Sequence, residues 1–268
     1  MISGVYIGGV IPSSSFASYK SVFSDKSKAF EKFEQSPQVQ KAIADFKARV
    51  GKVKDVDELL KDRKLTEFVL SAFALDEEIK FPGRLKKILT EDPNDKASLV
   101  NKLIDPRYKE MAKEISIAGL GGIGKLSFHF FQDELAKKFV TNEFEKKLGE
   151  QDPALREAAY FKRNAGKITK VLDILGDKVL RSVVTSALGI PPQAAIQSIE
   201  KQMSLITDKI DVKKFADPVF TDNFLKKFLI KKDAEGGGGG GTALTGKSAA
   251  LQLLQSAGSS NSLVNLLV

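Results

Sequence analysis

Apolar residues recur along most of the chain at three- and four-residue intervals, which places them on one face of an α-helix. Leu65, Phe68, Val69, Ala72, Phe73 and Leu75 follow that spacing. So do Phe130 or Phe131, Leu135, Phe139, Phe144 and Leu148, which predict one long amphipathic helix from Leu126 to Leu148. Strand signals are scarce: no long Val/Ile/Thr alternation and no Asn-Gly hairpin turn are present. The pattern predicts an all-α fold.

The same pattern occurs twice. Residues 46–75 (FKARVGKVKDVDELLKDRKLTEFVLSAFAL) align with residues 161–190 (FKRNAGKITKVLDILGDKVLRSVVTSALGI) at an offset of 115. Eleven of the 30 positions are identical, among them Phe46/Phe161, Gly51/Gly166, Asp62/Asp177, Leu65/Leu180 and Ser71/Ser186. Unrelated segments would share about two, so the chain reads as two tandem copies of one helical unit. Ser36-Pro37 pairs with Asp152-Pro153, and Asp105-Pro106 with Asp217-Pro218. Each pair reads as an N-cap followed by proline at the first helical position, where the missing amide costs nothing. Gly51 and Gly166 read as left-handed glycines closing a helix. The expected division is an N-terminal segment (1–35), a first unit (36–118), a glycine connector with the long helix (119–151), a second unit (152–232) and a C-terminal extension (233–268).

Both flanks carry apolar stripes. Phe16, Tyr19, Phe23, Phe30 and Phe33 are spaced 3, 4, 7 and 3, which fills five of six core positions of a heptad frame with Lys26 as the sixth. One helix carrying them would expose an aromatic ribbon unless it packed on the body or on another chain. Beyond the unbroken glycine run Gly236–Gly241, a flexible tether, Leu244, Leu251 and Leu254 again show heptad-like spacing, and Leu263 and Leu266 lie in an apolar end. These ten residues are the candidate partner-binding positions.

Composition removes several kinds of chemistry. Cysteine is absent, which excludes disulfides, thiolate metal sites and cysteine nucleophiles. His129 is the single histidine, so a catalytic triad would have to be built on it. It stands among Phe128, Phe130 and Phe131, where a packing role is expected. The net charge is +8, but Lys and Arg are interspersed with Asp and Glu, the pattern of solvated helix faces rather than of a one-sided nucleic-acid stripe. No basic n-region precedes an apolar stretch, so no cleaved signal is expected. No apolar run reaches the length of a bilayer span.

Two glycine motifs imitate nucleotide sites. Gly241–Ser248 fits the phosphate-loop spacing, but a glycine run stands where the preceding buried strand should be. Gly119, Gly121 and Gly124 fit the dinucleotide spacing, with Glu114–Ala118 as a short strand, but no second strand follows. No catalytic residue, metal or cofactor is expected.

The run from Asp45 to Ile79, followed by KILTEDPNDKASLVNKLIDPRYKEMAKEIS, resembles the repeat unit of a bacterial helical family of unknown function. Its elements are matched at Ser36–Phe46, Asp62–Leu75, Leu89–Tyr108 and Gly119–Gly124, over roughly residues 36–232 as two copies, the second degenerate at Ala216–Phe220. The resemblance implies a non-enzymatic protein, because no catalytic residues are known for that family. It also implies a flagellar association, because family members are often encoded among flagellar genes. Flagellar axial proteins likewise have apolar heptad-bearing ends around a globular middle, lack cysteine and leave the cell without a cleaved signal. The expected function is therefore a structural or assembly component of the bacterial flagellum, contacting other flagellar proteins or further copies of itself. The alternative is a cytoplasmic helical adaptor or chaperone-like regulator of flagellar assembly.

Overall fold

A computed structural model describes residues 14–116 and 122–235. They form an all-α fold, with no β-strand among the described residues. Helices α1 (Ser15–Val22) and α2 (Ala29–Glu34) open the chain. Unit one follows with α3 (Pro37–Val50), α4 (Val56–Lys61), α5 (Arg63–Ala72), α6 (Pro82–Thr90) and α7 (Pro106–Ile115). The predicted long helix is α8 (His129–Gln151). Unit two comprises α9 (Pro153–Asn164), α10 (Val171–Leu175), α11 (Lys178–Ala187), α12 (Ile199–Thr207) and α13 (Pro218–Ala234).

The elements of the two units follow one another in the same order, short 3₁₀ turns at Asp76–Lys80 and Pro192–Ile196 included. The caps also correspond. The carboxylates of Asp105, Asp152 and Asp217 each accept an amide two residues on, just past the proline, at 2.9 Å. Ser36 departs from that scheme: its hydroxyl donates backward to the Phe33 carbonyl. Asp62 and Asp177, identical in the alignment, cap α5 and α11 by accepting from Leu65 and from Val179 and Leu180.

The packing of the units diverges at their ends. In unit one, α8 lies across α5, and the rings of Phe46, Phe68 and Phe139 stack at 4.0 and 3.9 Å between centroids. In unit two, α13 packs on α9 and α11, with Phe161, Phe215 and Phe224 in the matching space. Helix α7, which shares its cap with α13, packs instead on α6 and the turn at Gly122–Ser127. The paired Asp-Pro caps thus start helices that take different places. The segment expected as a strand at Glu114–Ala118 begins inside α7, which runs to Ile115.

Gly51 and Gly166 are not left-handed: Gly51 has φ −65°, and positive φ occurs among the described residues at Ala74 (56°), Gly189 (67°) and Gly122 (53°). Ala74 and Gly189 stand 115 residues apart, just past α5 and α11. Each closes its helix with the same pair of bonds. Leu75 N donates to Leu70 O at 2.9 Å and Ile190 N to Thr185 O at 2.8 Å. Ala74 N reaches Ser71 O, and Gly189 N reaches Ser186 O. This two-bond closure requires the left-handed residue that glycine supplies without steric cost. Replacing Ala74 by Gly should therefore stabilise the protein by about 0.5–1 kcal/mol, and Gly189→Ala should destabilise it by about 1 kcal/mol. Urea unfolding of both variants checks the opposite signs.

Candidate interaction surface

The N-terminal aromatic stripe is split. The chain breaks between α1 and α2 at Phe23–Lys28, where Ser24 O accepts from Ser27 N and Ser24 Oγ donates to Ser21 O. Local Ser bonds of this kind compete with helix continuation. Phe16, Tyr19 and Phe23 go to unit two, where α1 packs on α13 and α9. Phe30 and Phe33 go to α8, where both rings meet Phe144 edge-on at 5.2 and 5.5 Å. Tyr19 and Phe33 are buried, Phe16 and Phe23 half-buried, and Phe30 is 37% exposed. Phe16, Tyr19, Phe23 and Phe33 thus pack in or against the chain's own core, while Phe30 touches Phe144 and stays partly exposed. Leu244, Leu251, Leu254, Leu263 and Leu266 lie outside the described residues.

Helix α1 is held from both ends. Asp233, near the end of α13, sits at the N-terminus of α1: its carboxylate accepts from Ser15 N at 2.8 Å, Ser14 Oγ at 3.0 Å and Phe16 N at 3.4 Å. A carboxylate there satisfies amides that the helix cannot pair internally and complements the positive end of its dipole. One turn on, Tyr19 Oη donates to Asp222 at 2.7 Å. Burial, then the carboxylate of Asp222, raises the Tyr19 hydroxyl well above its ordinary pKa, so it remains a donor. The consequence is geometric: Ser14 and Asp233 touch, so residues 1–13 and 236–268 join the described body at neighbouring points.

A second feature is a polar seam beneath a cleft of about 380 Å³ between α3, α5 and α8. Ser71 Oγ donates to Glu143 at 2.9 Å, and Asn142 Nδ2 bridges Ser71 Oγ and Asp76 at 3.0 Å each. Lys146 pairs with Asp76 at 2.8 Å and with Glu143. Burial works against charge on both partners, but Lys146 holds Asp76 below the usual carboxylate range, while Glu143 and Asp76 hold Lys146 above the usual amine range. The two carboxylates share one ammonium, which ties α8 to the turn after α5. Toward unit two, Arg107 binds Asp105 and donates to the carbonyl of left-handed Ala74 at 2.6 Å. Arg163 binds buried Glu145 through two contacts, at 2.7 and 3.0 Å, and Tyr160 Oη donates to Asp177 at 2.6 Å. His129 is exposed at the first position of α8. Among the described residues no group of three or more His, Asp or Glu is placed to hold a metal, and no helix is long and apolar enough to cross a membrane.

The third feature is an apolar groove of about 240 Å³ on unit two, walled by one side of α11, the Pro192–Ile196 turn and α12. Thr185, Ile190, Ala194, Leu205 and Ile206 line it. Ile196, 90% exposed, and Ile199, 58% exposed, stand at its edge. Sequence reasoning placed the candidate contacts at the chain ends and missed this surface. The available signal was the run from Ile190 to Ile199, whose apolar residues do not fit one buried helix face.

A family model described as a protein of unknown function, DUF1217, matches residues 72–220, more than half of the chain. The chain belongs to the DUF1217 family. The match is one span from the end of α5 into α13, so the DUF1217 unit crosses both halves rather than matching two separate copies over 36–232. The chain is also similar to protein AGR_C_984 from Agrobacterium tumefaciens, known from an X-ray crystal structure. The two are 27% identical, with 87% of this chain and 98% of that chain covered and a TM-score of 0.73. No curated protein matches. The DUF1217 span includes Asp76, Arg107, the whole of α8 and the groove of unit two, but leaves out α1 and most of α13.

The seam makes a test of its role direct. Lys146→Met leaves Asp76 and Glu143 without their cation, and should cost about 2–4 kcal/mol, somewhat below a fully dry pair because Asp76 keeps contact with water. The depressed Asp76 contributes stability that is present above the ordinary carboxylate pKa near 4 and is lost as pH falls below it. In Lys146→Met that acid dependence should flatten. Urea unfolding of both proteins between about pH 3 and 7 reads both effects.

Proposed function

We propose that the protein is a non-enzymatic structural or assembly component of the bacterial flagellum. It acts through helix-mediated contacts with other flagellar proteins or with further copies of itself. The observation that carries this reading is the clasp of Asp233 on the N-terminus of α1. It sets the points where residues 1–13 and 236–268 join the described residues beside each other. The ends in question contain the apolar residues Val5, Ile7, Val10 and Ile11 on one side and the Leu-rich segment after the glycine run on the other. A globular middle between two apolar ends is the plan of flagellar axial proteins, and a cysteine-free chain agrees with it. The paired charges of the seam support a structural role for the polar core, and the flagellar setting comes from the family resemblance.

The test has two parts. Hook–basal bodies purified from the source bacterium should contain the protein in fixed proportion to a known axial component. Deleting residues 236–268 should leave the body folded while assembly or motility fails. Confinement to the soluble fraction would favour the cytoplasmic adaptor. A truncated protein that supports normal swimming would remove the role assigned to the tail.

A further inference from the structure

Helix α11 is buried only at Leu180, Val183 and Val184, whereas its counterpart α5 is buried on nearly every side. The uncovered side of α11 is the wall of the apolar groove, with Ile196 and Ile199 projecting at its edge. We propose that this groove binds residues 242–255 of the same chain, through Leu244, Leu251 and Leu254. The proposal holds for the isolated protein and does not depend on the flagellar reading.

The position of the chain's exit selects this occupant. Lys231 Nζ, in the last turn of α13, donates to the Ser186 carbonyl at 2.9 Å, and Ser186 follows the groove residue Thr185. The chain therefore leaves α13 beside the end of the groove. Gly236–Gly241 can stretch to about 20 Å and at rest spans about 13 Å. The ten residues of α11 are about 15 Å long, so the segment after the glycines reaches the whole groove. Its apolar positions suit a helix-in-groove mode, with Leu251 and Leu254 three apart and Leu244 two turns earlier. A tether of six glycines presents the segment at an effective concentration in the millimolar range, which an identical segment on a second copy matches only in a concentrated assembly.

The absence of cysteine makes the test clean. A nitroxide placed on full-length Ser256→Cys should broaden the amide signals of Ile190, Ala194 and Ile206, while Ser21 and Ser24 in the N-terminal segment keep theirs. Adding Leu251→Asp and Leu254→Asp should restore the groove signals without altering those of Ser21 and Ser24. Unbroadened groove amides, or broadening that survives the double substitution, would overturn the proposal. So would broadening seen only when a nitroxide-bearing copy is mixed with an isotope-labelled unmodified copy, which would assign the groove to a neighbouring molecule's tail.

Discussion

The fold turns on the enclosure of helix α8. It is contacted by α2, α3 and α5 toward unit one and by α9 toward unit two, so from Phe139 to Gln151 only Glu150 is exposed. A helix so enclosed would be expected to be apolar all round, yet Gln132, Asn142, Glu143 and Glu145 are among its buried residues. Leaving any of them without partners would cost more than their contacts return. The solution is positional. Asn142 and Glu143 turn to Ser71 and Asp76 of unit one, and Glu145 turns to Arg163 of unit two. The buried polar residues of α8 thereby set how the helix is rotated between its neighbours, because a rotation that kept its apolar contacts would strand its charges.

That constraint explains why the correspondence of residues 46–75 with 161–190 is clearer in sequence than in packing. Identity concentrates where a residue satisfies a local demand: Asp62 and Asp177 cap a helix, and Leu65 and Leu180 begin its buried face. The ends of the units answer to non-local demands. Unit one receives α8 over the face bearing Phe68, and unit two receives α13, with Val183 at the aligned position and Phe224 supplying the ring. Similar local sequences are thus completed by helices from different places in the chain.

The legible part of the molecule was accordingly the local part. The helix period, the Asp-Pro caps and the extent of α8 could all be read from spacing. The left-handed positions could not. Gly51 and Gly166 follow helical stretches and look like closures, but the turn needing positive φ lies after α5 and α11, where one copy has Gly189 and the other Ala74. Glycine marks tolerance of that conformation, and alanine there gives no signal at all. The aromatic stripe failed for a related reason. Five apolar heptad positions say which side chains seek burial, but not whether one helix carries them. Ser24, Asp25 and Ser27 break the helix, and the two pieces turn to different partners, Asp222 and Asp233 for one and Phe144 for the other.

The same distinction bears on where function resides. A residue such as Asp233 has no periodicity, yet it fixes α1 to α13 and so determines where both ends of the chain meet the body. A carboxylate at a helix N-terminus contributes on the order of 0.3–1 kcal/mol through the dipole, and somewhat more when it replaces missing amide partners. That is a small share of the stability of a chain of this size. Its effect on geometry is larger than its effect on energy, because α1 is short and, apart from the Tyr19–Asp222 hydrogen bond, its other contacts are side-chain packing that tolerates sliding. Apolar burial alone would let α1 slide on α13, whereas hydrogen bonds of fixed length set where Ser14 stands beside Asp233.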